Sequence, residues 1–514
     1  MDRRSFLAGG LALGGAAVSS AWPRRPVAAQ GEIGFRSARD VARMIRRGEV
    51  SSLEVTTHVL ERIRRHNRAL NAIVTLTADA ALARAKAADD AGARGDWWGP
   101  FHGVPATIKD GFAIAGVRTT AGAQSLASYV PPRDAVVVER VRAAGAIILG
   151  TTNVPEWWGD WQSANVIFGA TSNPWDAART SGGSSGGEAA ALAAGLTHLS
   201  IGGDLAGSIR IPAHCCGVYG HKPSLGIVPQ RGTIPPPPDV PPGPPGNLAV
   251  AGPLARDAGD LRAVLEVLAD PDRDESVAYR WSLPPARHTR VADYRLGFAL
   301  DDPACPVVPE VKALLERVVE GLRKAGAILE EGWPAGVIPA GQYDTYRYLL
   351  MSMFAAQAPD DQLERLRQRA ANQDGSFEAI MARAWSAPVK VFQAAERQRI
   401  GARAVWQEFF RTHDAFLLPT AFVPAFAHDH TMPIGQRRIA TAGGARPYVD
   451  LPFWISFATL AGLPATTAPI GLTRDGLPVG VQIVGPYLED ATPIDLAARL
   501  ADLVGGFQPP PGYA

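Results

Sequence analysis

Residues 181–224 read SGGSSGGEAAALAAGLTHLSIGGDLAGSIRIPAHCCGVYGHKPS. Two glycine-flanked serines, Ser184 and Ser208, divide this stretch. The first lies in a Gly182–Gly187 turn with so little side chain that the backbone can approach another group closely, and the turn runs straight into an alanine-rich segment predicted to be helical over 186–194. A strand-like run, 198–202, follows and opens into a second loop, Gly202 to Arg210. This turn, helix, strand, loop order is the alternation of an α/β fold. A phosphate-binding loop would need Lys-Ser/Thr after its last glycine, but Glu188-Ala189 follows here and sets an acid where a phosphate would sit. In the second loop small residues precede Ser208, leaving backbone N–H groups free to converge on one point, as a developing oxyanion requires. Read in isolation, Ser208 is equally a cap for a helix running on from Ile209.

The alternation extends outward in both directions. Ser37 opens one helical pattern, and Ser51 with Glu54 reads as a capping box for a helix to about Leu70. A further alanine-rich helix is predicted over 77–94. The apolar run Gly103 to Ile108 predicts a buried strand that delivers Lys109-Asp110 at its end. Helices are predicted over 134–144, 257–269, 308–325, 340–357 and 390–411, with strands over 146–150, 295–300, 414–418, 464–470 and 479–484. Together these predict an α/β fold with a mixed sheet flanked by helices. Half of the residues in Gly232 to Gly246 are proline, which predicts a stiff surface loop. Residues 333–390, rich in aromatics and methionine, suit a helical lobe over a site. No repeat or clear linker interrupts the chain, so residues 30–514 are expected to form a single domain.

Of the 514 residues, 51 are basic and 50 acidic, a net charge of +1 that excludes a strongly basic nucleic-acid binder. The three cysteines, Cys215, Cys216 and Cys305, include no C-x-x-C pair, so neither a zinc motif nor a disulfide framework is expected. Only six lysines occur, and lysine, unlike arginine, can be deprotonated. The N-terminus, MDRRSFLAGGLALGGAAVSSAWPRRPVAAQ, pairs Arg3 and Arg4 ahead of an apolar run of about 12 residues, shorter than the ~20 needed to span a bilayer. It matches a twin-arginine export signal over residues 1–29. Cleavage near Ala29 and a periplasmic location are expected, with the twin-arginine export machinery as a partner and no stable membrane span.

Four segments together resemble the amidase signature family of serine hydrolases: Gly103 to Asp110, the GGSSGG turn, Gly202 to Ala213, and Cys216 to Pro223. Weaker similarity runs from about Ser37 to Val504. The resemblance implies the amidase-signature fold and a Ser-Ser-Lys triad that cleaves the C–N bond of a small-molecule amide without a cofactor or a metal. Carried onto this sequence, Lys109 is the base, Ser184 the bridging serine held by a cis peptide, and Ser208 the nucleophile that forms the acyl-enzyme. The backbone N–H groups of Leu205, Ala206, Gly207 and Ser208 would hold the oxyanion, with Ser185, Asp204 and Arg210 in support, the last two as a structural ion pair. The chemistry suits these residue types, since a serine hydroxyl needs a base and lysine serves as one only when burial lowers its pKa from ~10.4.

The chain departs from the family pattern at Ala206, where glycine is usual, and at Thr459, where asparagine is frequent. Three competing readings stand beside this one. Gly182-x-Ser184-x-Gly186 also satisfies the nucleophile elbow of α/β-hydrolase esterases, although a turn-rich loop and not a strand precedes it. An exported solute-binding protein would use the same glycine loops with no need of Lys109. The tRNA-dependent amidotransferases contain a subunit that shares the fold but acts in the cytoplasm, against the export signal. His428-Asp429-His430 offers two imidazoles for a metal but reads more simply as a surface loop.

Overall fold

The structure, a computed structural model, describes residues 33–234, 248–355, 363–371 and 375–513. The export-signal segment and most of the proline loop lie outside the described residues. Where local signals are strong the chain obeys them. Ser51 caps the Ser52–Leu70 helix by accepting from the Glu54 N–H, while the Glu54 carboxylate accepts from the Ser51 N–H at 2.8 Å. The glycine-closed pattern ahead of residue 145 becomes the Val136–Ala143 helix, and the apolar run after it becomes a strand.

One mixed sheet of eleven strands organises the molecule. In chain order these are β1 (Ile73–Leu76), β2 (Pro105–Lys109), β3 (Ile147–Thr152), β4 (Leu199–Asp204), β5 (Tyr219–Lys222), β6 (Val250–Ala255), β7 (Arg295–Phe298), β8 (Ile328–Glu331), β9 (Ala415–Pro419), β10 (Ala465–Leu472) and β11 (Pro478–Val484). Across the sheet the order is β1-β3-β2-β4-β6-β5-β10-β11-β9-β7-β8. β2 runs parallel to both β3 and β4, whereas β4, β6, β5, β10, β11 and β9 pair antiparallel in succession.

Strands this deeply buried need cover on both faces, and helices supply it. The Gly186–Ala193 helix is buried at every position. Its alanines and glycines let it sit against the sheet without a polar face, which is why its sequence lacks amphipathic alternation. Residues 333–390 do form helices, Pro339–Ser352, Leu363–Ala371 and Phe377–Ser386. Tyr346, on the first of them, donates its hydroxyl to the Leu205 carbonyl at 3.3 Å, so this lobe touches the second serine loop.

Four strands lie outside the sequence prediction: β1, β5, β6 and β8. In β6 the residues VAGPLA place a glycine and a proline inside a strand flanked on both sides, a composition that ordinarily argues against a central strand. Tertiary pairing overrides that local preference. The Phe453–Ala461 helix, apolar all round and fully buried, is equally hard to separate from a buried strand by periodicity.

Candidate active site

β2 and β4 are parallel neighbours, so their C-terminal ends open on the same edge of the sheet, the usual place for a site in such folds. Lys109 is the last residue of β2 and Asp204 the last of β4. The GGSSGG turn arrives at this edge by leading into the Gly186–Ala193 helix, and the loop after Asp204 carries Ser208 into the Arg210–Cys216 helix. Ser185 donates its backbone N–H to the Ser208 carbonyl at 3.1 Å, tying the two loops together.

The Lys109 amine is fully buried and donates to Ser184 Oγ at 2.8 Å, to Ser185 Oγ at 2.8 Å and to the Gly203 carbonyl at 3.3 Å. Burial pushes its pKa down to about 7, against the opposing pull of the Glu188 and Asp204 carboxylates. A lysine so placed is available as a neutral amine near physiological pH. The Gly183–Ser184 peptide is cis. Ser163 fixes the turn from below, donating its hydroxyl to the Ser184 carbonyl at 3.2 Å and accepting from the Gly186 N–H at 2.9 Å.

Ser208 is the more exposed of the two serines, at 5% against 1% for Ser184. Among the described residues its hydroxyl has no hydrogen-bond partner, so the Lys109–Ser184 leg of a relay is formed and the Ser184–Ser208 leg is not. Catalytic hydrogen bonds commonly tighten only with substrate in place.

Asp204 organises the loop. Its carboxylate accepts from the N–H groups of Gly207 at 3.0 Å, Ile209 at 3.1 Å and Arg210 at 3.4 Å. It also forms a buried ion pair with the Arg210 guanidinium at 2.8 Å. Burial alone would push this carboxyl up, but Arg210 and the N–H donors hold it below the usual range. Arg210 reaches on to Gln482 Oε1, the Ile455 carbonyl and Thr459 Oγ1. The Thr459 hydroxyl thus accepts from the guanidinium where an asparagine side chain is frequent.

This geometry corrects one expectation: the Gly207 N–H is engaged by Asp204 and does not belong to a free oxyanion set. A trans peptide sends its C=O and N–H to opposite sides. Trp161 Nε1 holds the Ala206 carbonyl at 2.8 Å, which turns the next N–H, that of Gly207, toward Asp204. The N–H groups of Leu205, Ala206 and Ser208 meet no protein acceptor among the described residues, leaving three donors and not four. Trp161 also lines a cavity of about 220 Å³ with Tyr343, Arg347, Met351, Phe377 and Glu378.

No strand leads into Ser184, and its partner is a lysine and not a histidine, which removes the geometry of a nucleophile elbow. Among the described residues no three His, Cys, Asp or Glu side chains gather as metal ligands, and no helix is long and apolar enough to cross a membrane. All three cysteines are free and buried. Ser163, Trp161 and Tyr346 are not legible in the sequence as site residues, because each acts on backbone groups brought close only by folding.

Residues 54–493 match the family model described as Amidase. The chain is 31% identical over 490 residues to a glutamyl-tRNA(Gln) amidotransferase component, the A-type polypeptide of Moorella thermoacetica, covering 91% of this chain and 96% of that one. A solved structure described as an amidase superposes with a TM-score of 0.74 at 28% identity, covering 91% of this chain and all of the other. A bacterial aryl acylamidase of the amidase signature enzymes superposes with a TM-score of 0.77 at 24% identity, over 92% of this chain and 97% of its own.

Proposed function

The chain belongs to the Amidase family, and on that premise we propose that it hydrolyses the C–N bond of a carboxylic acid amide through an acyl-enzyme on Ser208. The observation that carries this reading is the fully buried Lys109 amine, with a pKa near 7, at 2.8 Å from Ser184 Oγ. Neutral Lys109 takes a proton from Ser184 as Ser184 takes one from Ser208, whose oxygen attacks the amide carbon. The oxyanion that forms is met by the N–H groups of Leu205, Ala206 and Ser208, a contribution commonly worth about 3 kcal/mol per donor. The proton returns through Ser184 to the leaving nitrogen, since an amine leaves poorly unprotonated, and water then releases the acid. The cavity beside Trp161 receives the acyl group.

A fluorophosphonate probe should label Ser208 in the purified protein and fail to label Ser208→Ala. Ser184→Ala should retain more turnover on an activated ester than on the matched alkyl amide, because an alcohol leaves with less help from a proton. An adduct mapped to Ser184 or Ser185 instead of Ser208 would overturn the assignment.

A second reading follows from the 31% identity to an amidotransferase component, which would make this chain the ammonia-releasing part of a larger assembly. The Arg3-Arg4 segment favours export instead. We read the protein as a periplasmic amidase, and turnover of a simple amide by the isolated chain separates the two.

A further inference from the structure

Trp157 and Trp158 are consecutive non-glycine residues with left-handed backbone, φ 51° and 61°. Such conformations persist only where the surroundings hold them, and they gather at functional sites. The segment is held on several sides. The Trp157 N–H donates to the Ala121 carbonyl at 2.8 Å, and Trp158 Nε1 donates to the Asp110 carbonyl at 2.7 Å. The Phe112 ring meets the Trp158 indole edge-on at 5.2 Å. Gly111 and Gly203 make room for it, since a Cβ on either would come within 2.7 or 2.8 Å of the indole. The outcome of this fitting is specific: the Lys109 amine lies 4.1 Å from the centre of the Trp158 ring.

We propose that Trp158 is a positioning residue for the reaction, a fixed indole cover that holds the Lys109 amine toward Ser184 and Ser185 and keeps water from it. This rests on the reading of Lys109 as the base. The ring acts on the amine in two opposite ways. Its π face stabilises the ammonium form, and its bulk excludes the water that would stabilise that form more strongly. The other charged groups around the amine are Glu188 on the Gly186–Ala193 helix and Asp204 on β4, with Asp110 beside Glu188 and Arg210 and Lys222 beside Asp204. None of these is altered by a substitution at Trp158.

The pH dependence of kcat/KM therefore separates the two effects. Trp158→Leu keeps an apolar cover and removes the π face, so the acidic limb should move down by about 0.5 pH unit. Trp158→Ala admits water, so the limb should move up. Trp158→Phe retains both properties and should restore the original limb. Fluorophosphonate labelling of Ser208 and the unfolding midpoint establish that each variant is folded. Limbs that stay fixed, or that move the same way in the Leu and Ala variants, would overturn the proposal. Lys109→Arg run alongside keeps the two readings apart: if it is active, Lys109 is not the base, whereas if it is inactive and the limbs stay fixed, only the role of Trp158 falls.

Discussion

Two lysines in this protein are fully buried and both are pushed down to about 7, Lys109 and Lys222, in each case chiefly by loss of hydration. A depressed pKa therefore does not identify the base. What differs is the partner: Lys109 donates to two serine hydroxyls, whereas Lys222 donates to the Pro223 carbonyl, which has no proton to give. Activity should rise with pH through about 7, because only the neutral Lys109 amine accepts a proton and that form is populated above its pKa. Lys109→Arg, which keeps charge and loses basicity, should fall about 10²–10⁴-fold in kcat/KM, as far as Lys109→Ala. Lys222→Met should leave the acidic limb where it is. Rate profiles across pH 5.5–9 check all three, and an active arginine variant would remove Lys109 from the mechanism. At this scale Lys109, Ser184 and Ser208 were legible, because an apolar strand ending in lysine and serines flanked by glycines leave local marks. The engagement of the Gly207 N–H was not, since a peptide plane's direction depends on Trp161 and Asp204 from outside the triad.

The loop from Asp204 to Arg210 holds its shape through charge as much as through glycine. Arg210 and Asp204 are both fully buried, and removing one partner leaves the other charged without hydration. Arg210→Ala should cost about 3–5 kcal/mol of stability, read as a lowered urea midpoint. Thr459→Ala removes one acceptor from the same guanidinium and should cost less, about 1.5–3 kcal/mol. Equal losses would show that the ion pair is not what holds this loop. Element existence was readable wherever a cap, a closing glycine or a sustained period marked it, as at Ser51 and Gly145. It failed where long-range pairing made the decision. β5 and β6 are short, carry glycine or proline, and are strands because β4 and β10 lie beside them.

For the whole molecule, the mixed sheet, its helical cover and the lobe over the site follow the expectation from alternation, because burial on both faces forces near-continuous apolar strands between amphipathic helices. Where the protein works is a matter for a segment outside that architecture. Arg3 and Arg4 precede a short apolar run and a small-residue site at Val27-Ala28-Ala29. A route that carries folded proteins fits the rest of the chain. Its three thiols are buried and free, and burial pushes Cys215 and Cys305 up to about 12, far from the thiolate form that exchanges or oxidises. A chain translocated unfolded would expose these thiols to an oxidising compartment before the core could enclose them, whereas one folded beforehand arrives with them enclosed. Replacing Arg3 and Arg4 with lysine should therefore leave a folded, active precursor in the cytoplasm while the wild-type protein reaches the periplasm about 29 residues shorter. Fractionation with intact-mass measurement, repeated in cells lacking twin-arginine transport, reads both the location and the cleavage. Export of the lysine variant, or of the wild type in those cells, would place the protein on the unfolded route and separate its thiols' reduced state from its path of export.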